Sequence, residues 1–312
     1  MEIFRVKKDI PFMKFSKLSA VFSIIIFVLS ISFLSIKGLN LGIDFTGGTI
    51  MEVSYPEVVN VQDIREILKS INMEDSQVQN FGTAKDILIR LPINNDLSIA
   101  DLSEKVASAL KAENSLIDVK RVESVGAQVG DELFEKAALA LLFVCLGIVA
   151  YLSLRFEWRF GLAAIIANMH DVFIILGFFA FFQLEFNLTV LAAVLAVLGY
   201  SVNESVVVFD RVRENFRRST MRNTPVSEIM DNAITRTMSR TIMTHLSTQT
   251  VVVSMLLFGG EILHNFAIAL TIGILFGIYS SIMVGCPMAM WLGTNQKNLL
   301  NNTSEEPKKH TE

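Results

Sequence analysis

One acidic side chain inside an otherwise apolar stretch is the strongest candidate for chemistry in this chain. Residues 187–215 have the length and composition of a membrane-spanning helix, and Glu204 lies within them. Tyr200, Asn203 and Glu204 stand at positions i, i+3 and i+4, so their polar groups share one helix face. Because a carboxylate at bilayer depth costs about 2 to 4 kcal/mol, this face is predicted to turn toward other helices. The pattern indicates an ionisable group on a proton or ion path.

A second interpretation of Glu204 stays open. The residue lies shortly before Asp210, where the charged end of the stretch begins, and a glutamate near a helix end can extend its side chain to the membrane surface. Small residues lead up to the polar face at helical spacing: Ala192, Ala196 and Gly199. Such a row forms a groove that another helix can approach closely, which favours the inward-facing position.

A fixed positive charge opens the next apolar stretch. Arg240, Thr244 and Thr248 share one face at i, i+4 and i+8. Because an arginine does not release its proton, we interpret Arg240 as the positive partner of Glu204, in a pair that protonation of the acid would weaken. The alternative is an arginine at the membrane surface, with the neighbouring hydroxyls hydrogen-bonded to their own helix.

Two further titratable residues, His170 and Asp171, occur in the third apolar stretch. At that depth both are costly unless they are solvated or partnered. For His170, a satisfied pair near the membrane surface is as good an interpretation as a functional group. For Asp171 we expect a structural hydrogen-bonding role in preference to proton transfer.

The composition bounds the class of protein. The chain has 312 residues, of which 52% are hydrophobic, and this indicates an integral membrane protein. Cys145 and Cys286 both fall in apolar runs and are expected to be small buried side chains, neither disulfide-bonded nor metal-bound. No phosphate-binding loop of the G-x-x-x-x-G-K-[ST] type is present. We expect no enzyme activity, metal, cofactor or nucleic-acid partner.

Six apolar segments predict six membrane-spanning helices. They cover residues 18–36, 137–154, 160–182, 188–209, 241–259 and 266–292. Lysine and arginine gather at residues 1–17, in the connections after the second and fourth segments, and in the tail. The connections 183–186 and 260–265 contain neither. This alternation predicts cytoplasmic N- and C-termini.

The charge pattern and the apolar segments together predict five regions. These are a cytoplasmic N-terminus (1–17), a first transmembrane helix (18–37), a periplasmic α+β domain (38–135), a five-helix transmembrane domain (136–293) and a cytoplasmic tail (294–312). Within the α+β domain we predict strands at 49–54, 77–81, 86–91 and 118–124, with helices at 61–71 and 99–112. This βαββαβ order is that of a ferredoxin-like sandwich.

Glycines mark two further features. The run G-I-D-F-T-G-G at 42–48 contains Gly42, Asp44, Gly47 and Gly48 and predicts a tight, structured entry into the first strand. The sixth span carries a small residue at every fourth position: Gly273, Gly277, Ser281, Gly285 and Ala289. That row predicts close packing against another helix, without chemistry of its own.

The order of these motifs resembles the SecD/SecF family of bacterial protein-export membrane proteins, in the resistance-nodulation-division (RND) superfamily. The matching motifs are G-I-D-F-T-G-G at 42–48, V-G-A-Q-V-G-D-E-L at 125–133, R-F-E-W-R-F at 155–160, His170-Asp171, Y-S-V-N-E-S-V-V-V-F-D-R-V-R-E-N at 200–215 and S-R-T-I-M-T at 239–244. Two residues depart from the family pattern. Glu204 stands where many relatives have Asp, and Ala127 stands where a proline is common.

The resemblance implies a polytopic, RND-like helical protein that acts as an accessory subunit of the Sec translocase. It implies SecD, the SecYEG channel, the small subunit YajC, a translocating preprotein and membrane lipid as partners. It also implies the proton-motive force as the energy source and the bacterial inner membrane as the location. An RND-type lipid or small-molecule exporter half is the alternative, and a purely structural scaffold is a third possibility.

The resemblance also assigns roles to residues. The proton-coupling residues are Glu204, Arg240 and Asn203. The supporting polar residues in the membrane are His170, Asp171, Tyr200, Thr244 and Thr248. The residues of the structural motifs are Gly42, Asp44, Gly47, Gly48, Gly126 and Gly130.

Overall fold

The computed structural model describes residues 8–93, 98–218 and 224–294. Within them, six helical segments are long and apolar enough to cross a membrane: Phe12–Ile36, Ala127–Arg155, Trp158–Phe182, Leu188–Arg217, Val226–Phe258 and Gly260–Trp291. Their number agrees with the six spans predicted from the sequence. Arg5, Lys7 and Arg222, together with Lys297, Lys308 and Lys309 of the predicted tail, lie outside the described residues.

Helices and strands alternate along the chain as follows. A 3-10 turn (Phe12–Phe15) leads into α1 (Ser16–Ile36), β1 (Asn40–Leu41), α2 (Ile43–Thr46), β2 (Gly48–Ser54), α3 (Val61–Ser70), β3 (Gln77–Phe81), β4 (Thr83–Leu91), α4 (Ile99–Glu113) and β5 (Asp118–Val125). Then come α5 (Ala127–Arg155), α6 (Trp158–Phe182), β6 (Glu185–Phe186), α7 (Leu188–Arg217), α8 (Val226–Phe258), α9 (Gly260–Ser280), a π-helical turn (Ser281–Gly285) and α10 (Cys286–Trp291).

Two helices are longer than their apolar segments. Helix α5 begins at Ala127, so residues 127–135, assigned from sequence to the soluble domain, are the first turns of the second spanning helix. Helix α8 begins at Val226, well before residue 241. The added turns are polar, and in α5 an ion pair at i, i+4 joins Lys136 to Glu132 (2.6 Å). Hydropathy detects only the apolar part of such a helix.

The segment from β2 to β5 forms an α+β unit in the predicted βαββαβ order. Its four strands are antiparallel in the order β3-β4-β2-β5, and Met51 of β2 pairs with Ile89 of β4 and Val122 of β5. One face of the sheet packs on helices α3 and α4 through a core that includes Met51, Ile64, Leu68, Ile89, Val106 and Leu110. Alternation of apolar and polar residues in β2 puts Met51 and Val53 on that buried face.

A polar cluster fixes the end of the β2–β4 pair. The Asp86 carboxylate accepts hydrogen bonds from the hydroxyls of Ser54 and Thr83 (both 2.6 Å) and pairs with the Lys120 ammonium (3.0 Å). The bonds from Ser54 and Thr83, followed by the bond from Lys120, stabilise the ionised carboxylate and lower the pKa of Asp86 from 3.8 to about 2.

The glycine motif joins the α+β unit to the membrane helices. Gly47 has φ +67°, a left-handed conformation that favours glycine. A Cβ atom at Gly130 of α5 would come within 2.9 Å of the Gly47 nitrogen, so α5 can approach this turn only with glycine there. Asp44 accepts a hydrogen bond from the Leu188 N–H (2.9 Å) and thereby caps the first turn of α7, where a negative charge is favoured. Gly126 is the N-cap residue of α5.

A second link runs from the sheet to the connection between α6 and α7. Strands β1 and β6 form a short parallel pair. Arg90 of β4 forms an ion pair with Glu185 of β6 (2.7 Å) and donates to the Leu41 carbonyl oxygen of β1 (3.1 Å). Both side chains of the pair are largely buried. The α+β unit is therefore fastened to the end of the bundle at which α7 begins.

Helix α7 packs against α9 through the predicted row of small residues. A Cβ atom at Gly273 would collide with Val197, and one at Gly277 would lie 3.5 Å from the Ser201 hydroxyl. Similarly, Gly177 of α6 lies against Ser30 of α1. The row predicted to give close helix contact is confirmed for Gly273 and Gly277.

We expect Gly177→Ala to destabilise the bundle. The added Cβ atom would lie 2.5 Å from the Ser30 Cα atom, a collision with backbone that moving a side chain does not relieve. Overpacking of this kind costs about 1 to 3 kcal/mol, which should lower the midpoint of thermal aggregation in detergent. Gly147→Ala in α5 is the matched control, because among the described residues no atom apart from the neighbouring backbone of its own helix lies within 4 Å of the added methyl group. Equal midpoints for the two variants would contradict the packing of α1 on α6.

We expect Asp86→Asn to weaken the sheet in a pH-dependent manner. Because the folded pKa is lowered from 3.8 to about 2, the stabilisation from Asp86 is complete above about pH 4 and is lost as the pH falls toward 2. Hydrogen exchange of residues 48–54 should therefore be faster in the variant at pH 5, and the difference from the parent chain should shrink below pH 4. A difference that is independent of pH would contradict this account.

Candidate functional site

Glu204 is buried between α7 and α8, with 6% of the residue exposed. The Thr241 hydroxyl donates a hydrogen bond to Oε1. The Nε2 atom of His245 lies 3.4 Å from Oε2. Since the carboxylate faces the interior of the helical bundle, the alternative in which it extends to the membrane surface is excluded.

Arg240 does not pair with Glu204, and this prediction from the sequence is wrong. Arg240 is exposed on the outer side of α8, and no carboxylate among the described residues lies within 4 Å of its guanidinium. The hydroxyl of Thr244 donates to the Arg240 carbonyl oxygen, and that of Thr248 to the Thr244 carbonyl oxygen (both 3.0 Å). The alternative of hydroxyls bonded to their own helix therefore describes Thr244 and Thr248. Consecutive residues point about 100° apart on a helix, so Thr241 faces inward where Arg240 faces out.

The three polar residues of α7 also divide between two sides. Asn203 is exposed, whereas Glu204 is buried. Tyr200 is half-buried and reaches α8, where its hydroxyl donates to Thr248 Oγ1 (3.3 Å) and its ring meets the His245 ring edge-on at 4.8 Å. The sequence predicted one inward-facing polar surface for all three residues, and this is wrong for Asn203. Tyr200 and Glu204 contact α8, whereas Asn203 is exposed.

Asp171 forms a second buried polar cluster, which reaches α7 at Ser201, one helical turn before Glu204. One carboxylate oxygen accepts hydrogen bonds from the hydroxyls of Ser201 on α7 and Ser280 on α9 (both 2.7 Å). The carboxylate thus joins three helices, and 1% of Asp171 is exposed. This geometry agrees with the structural hydrogen-bonding role expected for Asp171.

His170 is buried beside Asp171 near the middle of α6, not at its end. Its Nδ1 atom lies 3.4 Å from Asp171 Oδ1, and its ring stacks on Phe27 of α1 with centroids 6.4 Å apart. Among the described residues, Nε2 has no hydrogen-bond partner. The pair is therefore inside the bundle, and the interpretation as a pair near the membrane surface does not hold.

The two polar clusters are carried by neighbouring turns of α7. Ser201 belongs to the Asp171 cluster, Glu204 to the α8 cluster, and the Ser205 hydroxyl lies 3.0 Å from the Ser281 hydroxyl. Ser281 opens the π-helical turn that precedes Cys286-Pro287. Such turns are frequent at functional sites. A shift of α7 would therefore change contacts with α6, α8 and α9 at once.

The sequence analysis did not predict four of these contact residues. Thr241 and His245 had no assigned partner, and Ser201 and Ser280 had no role. Spacing on α8 offered a signal: Ile234, Thr241, His245 and Val252 follow one another at intervals of seven, four and seven residues, and all four are among the buried residues of this helix. Within residues 8–93, 98–218 and 224–294, no group of three or more His, Cys, Asp or Glu side chains is placed to hold a metal ion.

The architecture defines a class: a polytopic helical membrane protein with buried carboxylates in its third and fourth spans and an α+β unit between the first two. Residues 105–295 match the sequence model of the C-terminal part of the protein export membrane proteins SecD/SecF, and residues 32–55 match the SecD/SecF GG motif. The chain belongs to the SecD/SecF family of protein export membrane proteins.

Relatives support this assignment over nearly the whole chain. The protein translocase subunit SecF of Vibrio alginolyticus is 44% identical over 300 residues, which are 96% of this chain and 95% of the relative. SecF of Pseudomonas aeruginosa is 40% identical over 293 residues, 93% of this chain and 94% of the relative.

Two solved structures of SecDF resemble the fold. SecDF from Thermus thermophilus, described as a translocon-associated membrane protein, superposes with a TM-score of 0.85 at 33% identity and covers 94% of this chain. SecDF in a super-membrane-facing form gives a TM-score of 0.69 at 32% identity over 97% of this chain. This chain spans 40% and 41% of the lengths of those two chains.

We expect Ser201→Ala and Ser280→Ala each to destabilise the chain by about 1 to 3 kcal/mol, because each leaves a buried carboxylate with one donor fewer. The measurement is the thermal unfolding midpoint in detergent. Ser254→Ala is the control, since that exposed hydroxyl bonds only to the Thr250 carbonyl oxygen of its own helix. The account of Asp171 as a link between helices fails if all three variants have the midpoint of the parent chain.

Proposed function

We propose that the chain is an accessory subunit of the Sec protein translocase, which acts with SecD and uses the proton-motive force to complete preprotein export across the inner membrane. Membership of the SecD/SecF family and the likeness to SecDF support the association with translocation. The single observation that carries the proton-coupling part is the environment of Glu204.

Glu204 is a carboxylate without a permanent counter-charge. Among the described residues, His245 is the one basic side chain within 4 Å, and its charge depends on protonation. Thr241 supplies a neutral hydroxyl. Because no fixed ion pair stabilises this buried carboxylate, uptake of a proton strongly lowers the electrostatic cost of burying it. This is the property expected of a residue that binds and releases a transported proton.

The energy of a proton that crosses the membrane potential is similar to the energy of the hydrogen bonds that would change at Glu204, as a conformational switch requires. One proton that moves through 100 mV is worth about 2.3 kcal/mol. Breaking or forming a buried hydrogen bond to a charged group changes the energy by about 1.5 to 3 kcal/mol. Protonation of Glu204 would weaken its contacts with Thr241 and His245, and α7 and α8 would then favour a different packing. Because α7 begins at the attachment of the α+β unit, such a movement would reach that unit.

Exposed polar residues in the membrane part support a helical partner, which we infer to be SecD. Asn203 and Arg240 are exposed, yet each is adjacent in sequence to a member of the Glu204–Thr241 contact, so they lie at the same depth in the bundle. A charge exposed to lipid at that depth is costly. The small residues Ala192, Ala196 and Gly199 are also exposed on α7 and leave room for another helix. A carboxylate of SecD is the counter-ion that Arg240 requires.

The location and the remaining partners follow from the same proposal. Arginines at the end of α5, the start of α6 and the end of α7 favour cytoplasmic termini. The α+β unit would then be a periplasmic, ferredoxin-like domain that contacts the preprotein. The SecYEG channel, YajC and membrane lipid remain predicted partners. We expect no enzymatic reaction and no cofactor, with the proton gradient as the energy source. The relatives' names do not favour the alternative of an RND-type lipid or small-molecule exporter half.

We expect Glu204→Gln to abolish the gradient-dependent part of preprotein translocation, because the amide cannot take up or release a proton. The measurement is the translocation rate in vesicles that contain SecD and the channel, with and without an imposed proton gradient. Glu66→Gln, an exposed residue of α3, is the matched control and should behave as the parent chain. Full gradient-dependent translocation by Glu204→Gln would disprove the proton-coupling role.

We expect Arg240→Met to lose the same gradient response while the complex with SecD still assembles, which would exclude a purely structural scaffold. The measurement combines co-purification with the vesicle assay. Co-purification with translocon subunits also separates the proposal from the exporter alternative, for which small-molecule resistance on expression is the expected phenotype. An Arg240→Met variant that assembles and translocates normally would remove Arg240 from the mechanism.

A further inference from the structure

A histidine that the proposed function does not require lies against its central acid. His245 is 3% exposed and sits one helical turn after Thr241 on the inward face of α8. Its Nε2 atom faces Glu204 Oε2 at 3.4 Å, and small side-chain movements are enough to bring this separation to hydrogen-bond length. Its Nδ1 atom is buried and has no hydrogen-bond partner among the described residues. Among the described residues, the ring therefore has an acidic partner at Nε2 and no hydrogen-bond partner at Nδ1.

The surroundings leave Glu204 as the acidic partner of the ring. From α7, Glu204 and the uncharged Tyr200 face His245. On this side, α8 meets α9 through the neutral pair of Gln249 and Thr271, whose amide nitrogen and hydroxyl oxygen lie 3.2 Å apart. Arg240 lies on the exposed side of α8 and does not face the ring.

We propose that His245 is the proton-exchange partner of Glu204. In the exchange, the O–H bond at Glu204 Oε2 breaks and an N–H bond forms at His245 Nε2, so that a carboxylic acid and a neutral imidazole become a carboxylate and an imidazolium. One proton moves, no electrons are transferred, and the net charge of the pair stays zero. The Thr241 hydroxyl donates to Oε1, which leaves Oε2 directed at the ring.

Chemistry favours His245 over Arg240 for this part. A guanidinium does not release its proton, whereas imidazole is the side chain that ordinarily changes charge near neutral pH. An imidazolium with an adjacent carboxylate avoids the cost of an isolated charge among the helices. Among the described residues Nδ1 has no hydrogen-bond partner, so it is the ring atom through which the pair would exchange a proton with its surroundings. The role of this exchange in transport rests on the proposed function. The exchange itself is a property of Glu204 and His245 that can be measured in the isolated chain.

The test is a pH titration of the histidine ring nitrogens by NMR, with ¹⁵N-labelled histidine in the full chain in lipid nanodiscs. His245→Gln identifies the His245 signals among those of the four histidines. We expect the His245 signals to titrate in the parent chain. In Glu204→Gln the midpoint should move to lower pH by at least about 0.5 pH unit, because the carboxylate that favours the charged imidazolium is gone.

Glu261→Gln is the matched control. Glu261 lies in the first turn of α9, near His264, and is 16 residues after His245 in the sequence. This variant should leave the His245 midpoint unchanged. Unaltered His170 signals in Glu204→Gln verify that the bundle is intact. The proposal is overturned if the His245 midpoint is the same in Glu204→Gln and the parent chain, or if His245 does not titrate. The experiment contains no SecD, channel or gradient, so its outcome is independent of the translocation result for Glu204→Gln.

Discussion

A buried carboxylate in a membrane protein must be matched by a proton, a counter-charge or donated hydrogen bonds. In this chain that requirement is met at two places on neighbouring turns of α7. Asp171 receives hydroxyl donors from two other helices. Glu204 receives one hydroxyl and faces a histidine. Asp171 ties three helices together through hydroxyl donors, and its neighbouring histidine, His170, lies on its own helix. The histidine that faces Glu204 lies on another helix, so a change in the charge of that pair acts between α7 and α8, as a switch requires.

The rest of the architecture gives a change at Glu204 a mechanical consequence. Helix α7 packs closely on α9 where Gly273 meets Val197, and it runs unbroken from Leu188 to Arg217. At its first turn it is capped by Asp44 from the glycine motif. The neighbouring Glu185 is paired with Arg90 of the sheet. The acid in the membrane and the α+β unit outside it are thus connected through one continuous helix and two polar contacts at its end.

Much of this architecture could be predicted from sequence because its signals are local. Six apolar segments and the βαββαβ order follow from hydropathy and residue period, and the packing role of the sixth span follows from its row of small residues. The first turns of α5 and α8 were not predicted, because they are polar and hydropathy detects only apolar turns. The glycine motif was expected to be a tight turn, but its contact with Gly130 joins residues far apart in sequence.

The site could be predicted only in part. Glu204 and Asp171 stand out because charge is rare in a membrane helix. Their partners do not stand out, because they lie far away in the sequence. Ser280 is 109 residues from Asp171, and His245 is 41 residues from Glu204. Periodicity shows which residues share a face, as for Arg240, Thr244 and Thr248, but not which face turns inward. Choosing the arginine by charge complementarity therefore gave the wrong neighbour, since Thr241 and His245 occupy the inner face of the same helix.

The protonation state of Glu204 in the folded chain decides the central claim, and infrared difference spectroscopy in lipid measures it directly. The carboxylic acid C=O band of Glu204 is assigned by its absence from the Glu204→Gln variant. Our account predicts that this band is present at acidic pH and disappears as the pH is raised, while the fold remains intact. A Glu204 that stays ionised, or stays protonated, over the whole pH range in which the chain is folded would contradict it.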